Sequence, residues 1–183
     1  MALVRQAALE FRRRGYHGTS MDDLANALGV TKGALYRYVK GKDEVLYECF
    51  VQSNRIGLAA LDRAEKQSGN AAKRLETFMV EFIREYLDSN LAGGAMIEID
   101  ALNPKQRASV VSGRDAVEGR LEKIIKDGVA DGSVASANPK LMILSFMGSI
   151  NWIPSWFSPN GELTSEQIAI QITNIILSGL RAR

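Results

Sequence analysis

The chain has 183 residues, of which 46% are hydrophobic and 24% charged, with four prolines and a net charge of +2. That length holds a small unit beside a larger one with a sizeable core, and the composition is ordinary for a helical protein. A lone histidine, His17, excludes metal catalysis by a histidine cluster, and a lone cysteine, Cys49, excludes an internal disulfide. The charge excess sits entirely in the first 50 residues, so any nucleic-acid surface is expected at the N-terminus.

The first predicted helix carries the stripe Leu3, Val4, Ala7, Ala8 and Phe11, and ends in Arg12-Arg13-Arg14, where cations favour the negative end of the helix dipole. Gly15 to Thr19 is read as a loop, with His17 a plain loop residue. A second helix starts at Ser20, a natural N-cap with Asp23 three residues on. Its apolar residues Met21, Leu24, Ala25 and Leu28 stop at Gly29, suited to the left-handed position after a helix, with Val30 able to close the accompanying apolar contact.

A third helix follows at once with Thr31 as N-cap. Leu35, Tyr38 and Val39 are expected to pack inward, while Lys32, Tyr36 and Lys40, four apart, face outward beside Arg37. Between Thr31 and Lys42 there are four basic side chains and no acidic one, the electrostatic signature of a phosphate-binding surface. Gly33 costs about 1 kcal/mol in a helix relative to Ala and lets the helix start approach a groove. A plain helical hairpin has no reason to combine these features.

Ala7-Ala8-Leu9-Glu10-Phe11, Arg14-Gly15-Tyr16, Thr19-Ser20-Met21, Gly29-Val30-Thr31-Lys32-Gly33, Leu35-Tyr36 and Lys42-Asp43-Glu44-Val45-Leu46 together resemble the DNA-binding domain of TetR-type transcriptional regulators. The resemblance implies an all-helical homodimer: a three-helix reading head over residues 1–43 and a ligand-binding and dimerisation domain over 44–183, about nine helices in total. Gly41 departs from the capping Ser of many relatives, a small loss because Gly caps nearly as well.

Helix 4 is expected from about Lys42 to Glu65, with Val45, Leu46, Cys49, Phe50, Ile56 and Ala60 inward and Cys49 a buried structural thiol. Gln67-Ser68-Gly69-Asn70 breaks it. Helix 5 carries Leu75, Phe78, Met79, Phe82, Ile83 and Tyr86, a stripe that serves a core or lines a cavity equally well. A short element lies near Ala95 to Ala101. Asn103-Pro104 then opens a helix to about Ala130, with Val110, Val117, Leu121, Ile124, Ile125 and Val129 inward.

From Pro139 to Phe157 the chain is strongly apolar, but Ser145, Ser149, Asn151 and Pro154 interrupt it before the ~20 residues a membrane span needs. A helix buried on all sides, ended or kinked at Pro154, is expected instead. The last helix, capped by Thr164 to Gln167, shows Ile168, Ile172, Ile175, Ile176 and Leu180, widened by Ile170 and Leu177. Excess apolar surface on two consecutive helices suggests self-association, which is also how TetR-type proteins usually dimerise. The segment Asn151 to Phe157 with Gly161 to Ala169 further resembles the subset associated with lipid and sterol breakdown, which answers to acyl-CoA thioesters. Trp156 is read as packing, and Trp152 stands between packing and ligand contact.

The reading is a repressor released from a palindromic double-stranded operator by a small hydrophobic effector, with acyl-CoA the implied class. Lys32 and Arg37 are assigned to base edges, Tyr36 mainly to phosphate, and Thr19, Thr31, Lys40 and Lys42 to phosphate as well, with Ser20 and Gly33 in the same surface. Phe78, Phe82, Tyr86, Met96, Phe146 and Trp152 are the expected effector lining. No phosphate-cradling glycine loop and no nucleophile–histidine set is present, so neither an enzyme nor a cofactor is expected. Met1-Ala-Leu-Val lacks a signal peptide's apolar region, which points to the cytoplasm. The rival readings are a DNA-binding dimer without effector and a repressor responding to an unrelated hydrophobic compound.

Overall fold

The computed structural model describes residues 2–89, 91, 98–135 and 138–180; the side chains of 154, 179 and 180 lie outside that description. Among the described residues eight α-helices run in the order α1 (Ala2–Arg14), α2 (Met21–Ala27), α3 (Lys32–Leu35), α4 (Lys42–Lys66), α5 (Ala71–Asp88), α6 (Pro104–Ala130), α7 (Pro139–Trp152) and α8 (Ser165–Leu180). Single 3-10 turns at Ile99–Ala101 and Ile153–Ser155 complete the order. No strand occurs among the described residues.

Local chemistry explains the boundaries. Ser20 and Asp23 form a full capping box at α2, with Ser20 Oγ accepting from the Asp23 amide at 3.1 Å and the Asp23 carboxylate accepting from the Ser20 amide at 2.9 Å. Gly29, at φ +66°, ends the helix in a Schellman motif: the Val30 amide reaches the Ala25 carbonyl and the Gly29 amide that of Asn26, both at 3.0 Å. Asn103 and Gln106 repeat the capping box at α6, with Pro104 in the first turn. Thr164 and Gln167 repeat it before α8. α7 ends at Trp152 and gives way to a 3-10 turn at Pro154, as a residue without an amide hydrogen requires.

α4 runs 25 residues, about 37 Å at helical rise, and packs against α1 at one end and α5 and α6 along the rest. Its inward residues Val45, Leu46, Cys49, Phe50, Ile56 and Ala60 are all buried. Burial pushes the Cys49 thiol up to about 12, so it is an inert packing group. α5 stacks Phe78 on Phe82 and Phe82 on Tyr86, with ring centroids 5.5 and 5.6 Å apart, and α8 lies along it.

Four expectations are corrected. α3 is one turn of α-helix continued by a tighter turn through Tyr38, because the Arg37 and Tyr38 amides bond three residues back. Tyr38 points to solvent at 81% exposure, while Leu35 and Val39 alone hold the inner side. Val129 is exposed and Gly128 takes the inward position, where an added Cβ would stand 2.4 Å from Val134. α7 is buried on one side only: Met142, Ile143, Phe146 and Ile150 face the core, whereas Leu141 and Leu144 are exposed. On α8, Ile168 and Leu177 reach the core, Ile175 is 72% exposed, and the Leu180 side chain lies outside the described residues.

Candidate functional site

The reading head is set by α1 to α3 and the first turn of α4. Thr31 caps α3 through the Ala34 amide at 3.1 Å, and Lys32, Gly33, Tyr36, Arg37 and Tyr38 are all exposed. A Cβ added to Gly33 would meet nothing within 4 Å, so internal packing does not require glycine there. Arg37 and the Lys40 ammonium have no ion-pair partner among the described residues. Lys32 is engaged with Asp22 of α2 at 2.8 Å, and that hydrogen bond raises its pKa. Both side chains are solvated, so the pair is weak and yields readily to a stronger acceptor. Tyr36 is 47% exposed; with Tyr38 it flanks the Arg37 guanidinium in sequence.

Two expected phosphate ligands are placed otherwise. Thr19 is buried, and its hydroxyl donates to the Gly15 carbonyl at 2.8 Å. Lys42 folds inward: its ammonium donates to the carbonyls of Tyr16 at 2.6 Å and Thr19 at 2.8 Å and stands 4.2 Å over the Tyr16 ring. Desolvation there lowers its pKa. Both residues tie the α1–α2 loop, and neither presents its polar group to a phosphate. Ser20 is occupied with its capping box, and Arg14 locks that box to α1 through Asp23 at 2.7 Å.

A cleft with about 100 Å³ of free space, open to solvent at its mouth, lies between α4, α5, α6 and α7. Its wall is mainly apolar, from Phe50, Gly57, Phe82, Val110, Val117, Leu121, Ile143 and Met147, with Ile99 at one side. Ser53, Asn54, Arg114, Glu118 and Asn151 supply the polar groups, with Tyr86 also lining. An apolar wall with few polar groups is the usual character of a small-molecule site. α4 and α6 cross closely at glycines: a Cβ on Gly57 would lie 3.1 Å from Val117, and one on Gly113 2.4 Å from the Asn54 amide nitrogen. That nitrogen donates to the Val110 carbonyl at 3.0 Å, fixing the crossing. At the mouth, Glu118 accepts from Lys140 at 2.6 Å, leaving Arg114 only at 3.7 Å from it.

Of the expected lining, Phe82 and Tyr86 reach this cleft. Phe78 and Phe146 instead border a separate apolar gap of only about 20 Å³, shared with Leu75, Met142 and Ile176. Trp152 is 70% exposed and lines neither, while Met96 lies outside the described residues.

Residues 3–49 match the bacterial regulatory proteins of the tetR family, and residues 68–180 match the tetracyclin repressor-like C-terminal domain. The chain belongs to the TetR family. It is therefore a DNA-binding transcriptional regulator and not an enzyme, from a family whose members bind operator DNA and dimerise. The TetR-family regulator PfmR from Thermus thermophilus superposes with a TM-score of 0.85 at 30% identity, each chain covered in full. The HTH-type transcriptional repressor KstR2 of Mycolicibacterium smegmatis is 27% identical over 97% of this chain and 88% of its own length. AibR, solved in complex with isovaleryl coenzyme A and operator DNA, is 26% identical with a TM-score of 0.76, covering 95% of each chain.

Sequence reasoning missed Tyr38 on the reading head and Asn54, Arg114 and Asn151 in the cleft. The signal for the cleft was Gly57 and Gly113, small residues inside long helices that mark where two backbones cross. Among the described residues no helix is long and apolar enough to cross a membrane.

Proposed function

We propose that this TetR-family regulator is a repressor acting as a homodimer, released from a palindromic operator in the cytoplasm when a lipophilic small molecule enters the cleft between α4 and α7. One observation carries the reading: Phe50, Ser53, Asn54 and Gly57 of α4 line the cleft, and the same helix begins at Lys42, which holds the loop of the reading head. A body entering the cleft therefore presses on the helix that positions the DNA surface. The effector is a CoA thioester, a class supported by the AibR complex and by a cleft with an apolar floor and Arg114 at its mouth.

Lys32 and Arg37 read base edges in this scheme, with Tyr36, Tyr38 and Lys40 on phosphate and the Thr31 cap presenting the helix start. The second copy covers the outer sides of α7 and α8, where Leu141, Leu144 and Trp152 of α7 and Ile170 and Ile175 of α8 are each exposed. Twofold symmetry then sets two reading helices about 34–36 Å apart for successive major grooves. The domain division is drawn after residue 43, inside the first turn of α4.

The test is to select genomic fragments retained by the purified protein, with and without isovaleryl-CoA and longer or sterol-derived acyl-CoA. A recovered palindrome released by one thioester supports the whole reading. A palindrome indifferent to all of them removes the effector class, and retention without a shared sequence removes the repressor in favour of DNA packing.

A further inference from the structure

The carboxylate of Glu98 stands where the C-terminal domain meets the reading head. Its Oε2 lies 3.4 Å from His17 Nε2 in the α1–α2 loop. It also acts electrostatically on the Lys42 ammonium and the Tyr16 hydroxyl, so three reading-head groups share one acidic neighbour. The next residue, Ile99, forms part of the cleft wall and opens the 3-10 turn Ile99–Ala101. That turn is pinned to the start of α6 by Arg107, which meets Asp100 at 2.6 Å. One residue of backbone thus separates a side chain that feels the cleft from one that feels the loop.

We infer that Glu98 is the positioning residue that transmits occupancy of the cleft to the reading head, through His17 and the Lys42-held loop from Tyr16 to Thr19. The physical chain is short. Lys42 holds the Tyr16 and Thr19 carbonyls, and Thr19 leads directly into the Ser20 cap of α2. A displaced Ile99 turn carries Glu98 with it, changes the field on Lys42 and His17, and loosens the loop from which α2 and α3 are hung. An element that two sites both bias is what coupling between them requires. The inference rests on the cleft being the effector site, but not on the chemistry of the effector.

The test uses neither effector nor operator, so it stands apart from the proposed ligand class. Amide hydrogen exchange of residues 15–20 is measured in the full-length protein for wild type, Glu98→Gln, Ile99→Trp and the double variant, with α5 and α8 amides as the folding control. Glu98→Gln is expected to speed exchange in the loop by about threefold or more with the control unchanged. Ile99→Trp, which adds bulk to the cleft wall, is expected to change loop exchange when Glu98 is present and to have no effect when combined with Glu98→Gln. Equal effects of Ile99→Trp in both backgrounds, or none in either, would overturn the inference, as would an unchanged loop in Glu98→Gln. Should the tryptophan disturb the control amides, Ile99→Ala carries the same cycle with the opposite change in bulk.

Discussion

Lys42 was a phosphate ligand by sequence and is a loop clamp by geometry, and the substitution Lys42→Met separates the two. Methionine keeps an unbranched apolar stem and removes the ammonium, so two charge-assisted hydrogen bonds at 2.6 and 2.8 Å and one cation–π contact at 4.2 Å are lost. A hydrogen bond to a charged group contributes about 1.5–3 kcal/mol and an exposed cation–π contact about 0.5–1. The site is only part-buried, so water recovers much of this at the two freed carbonyls, and a net loss of about 2 kcal/mol is expected. For a chain of this size that lowers Tm by about 4–8 °C. DNA affinity should fall because the loop leading to α2 loosens, while the slope of log K against log salt stays unchanged, since no phosphate contact is removed. The assay is a thermal melt paired with a salt titration of binding to any retained fragment. An unaltered Tm with a slope shallower by about one would refute the clamp and restore the phosphate contact.

Arg37→Ala should weaken binding by about 1–3 kcal/mol and relax base preference at one position per half-site, seen in the sequences the variant retains; an unrelaxed preference would move Arg37 to the backbone. Asp22→Asn should tighten DNA binding, because it releases Lys32 and removes an acid from the head, and a weaker complex would contradict that. Asp23 has its carboxyl held below its usual pKa, first by the Ser20 hydroxyl. A depressed folded pKa contributes stability that is present above the unfolded value near 3.9 and lost as pH falls through the folded one, so α1–α2 exchange protection should fall below about pH 4. Asp23→Asn should lack that acid step. Ile175→Asp should yield a folded monomer by sedimentation, since the side chain is exposed in the single chain, and a persisting dimer would place the interface elsewhere.

The boundaries were legible because caps are local: Ser20 with Asp23, Gly29, Thr31, Asn103-Pro104 and Thr164 with Gln167 each act through neighbours three or four residues away. The inward residues of α4 and α5 were equally plain, since a strong helical stripe leaves one face to bury. Periodicity failed where a helix has two apolar faces. α7 and α8 carry apolar residues all round, and the sequence alone does not say which half meets the core and which is left outward, so Leu144, expected inside, is exposed.

The cleft was legible least, because its wall is chosen by the crossing of α4 and α6 rather than by any stripe. Phe78 and Phe82 lie one helical turn apart and stack, yet only Phe82 borders the cleft, since Phe146 of α7 closes over Phe78 at 5.8 Å. Lys42 carries the same lesson for charge. A lysine in a basic run reads as a phosphate ligand, but two loop carbonyls within reach of its first-turn position on α4 engage it from inside the protein. Arg37 and Lys40 have no ion-pair partner among the described residues, so on the proposed reading the contacts to DNA rest on fewer cations than the charge of the head suggests.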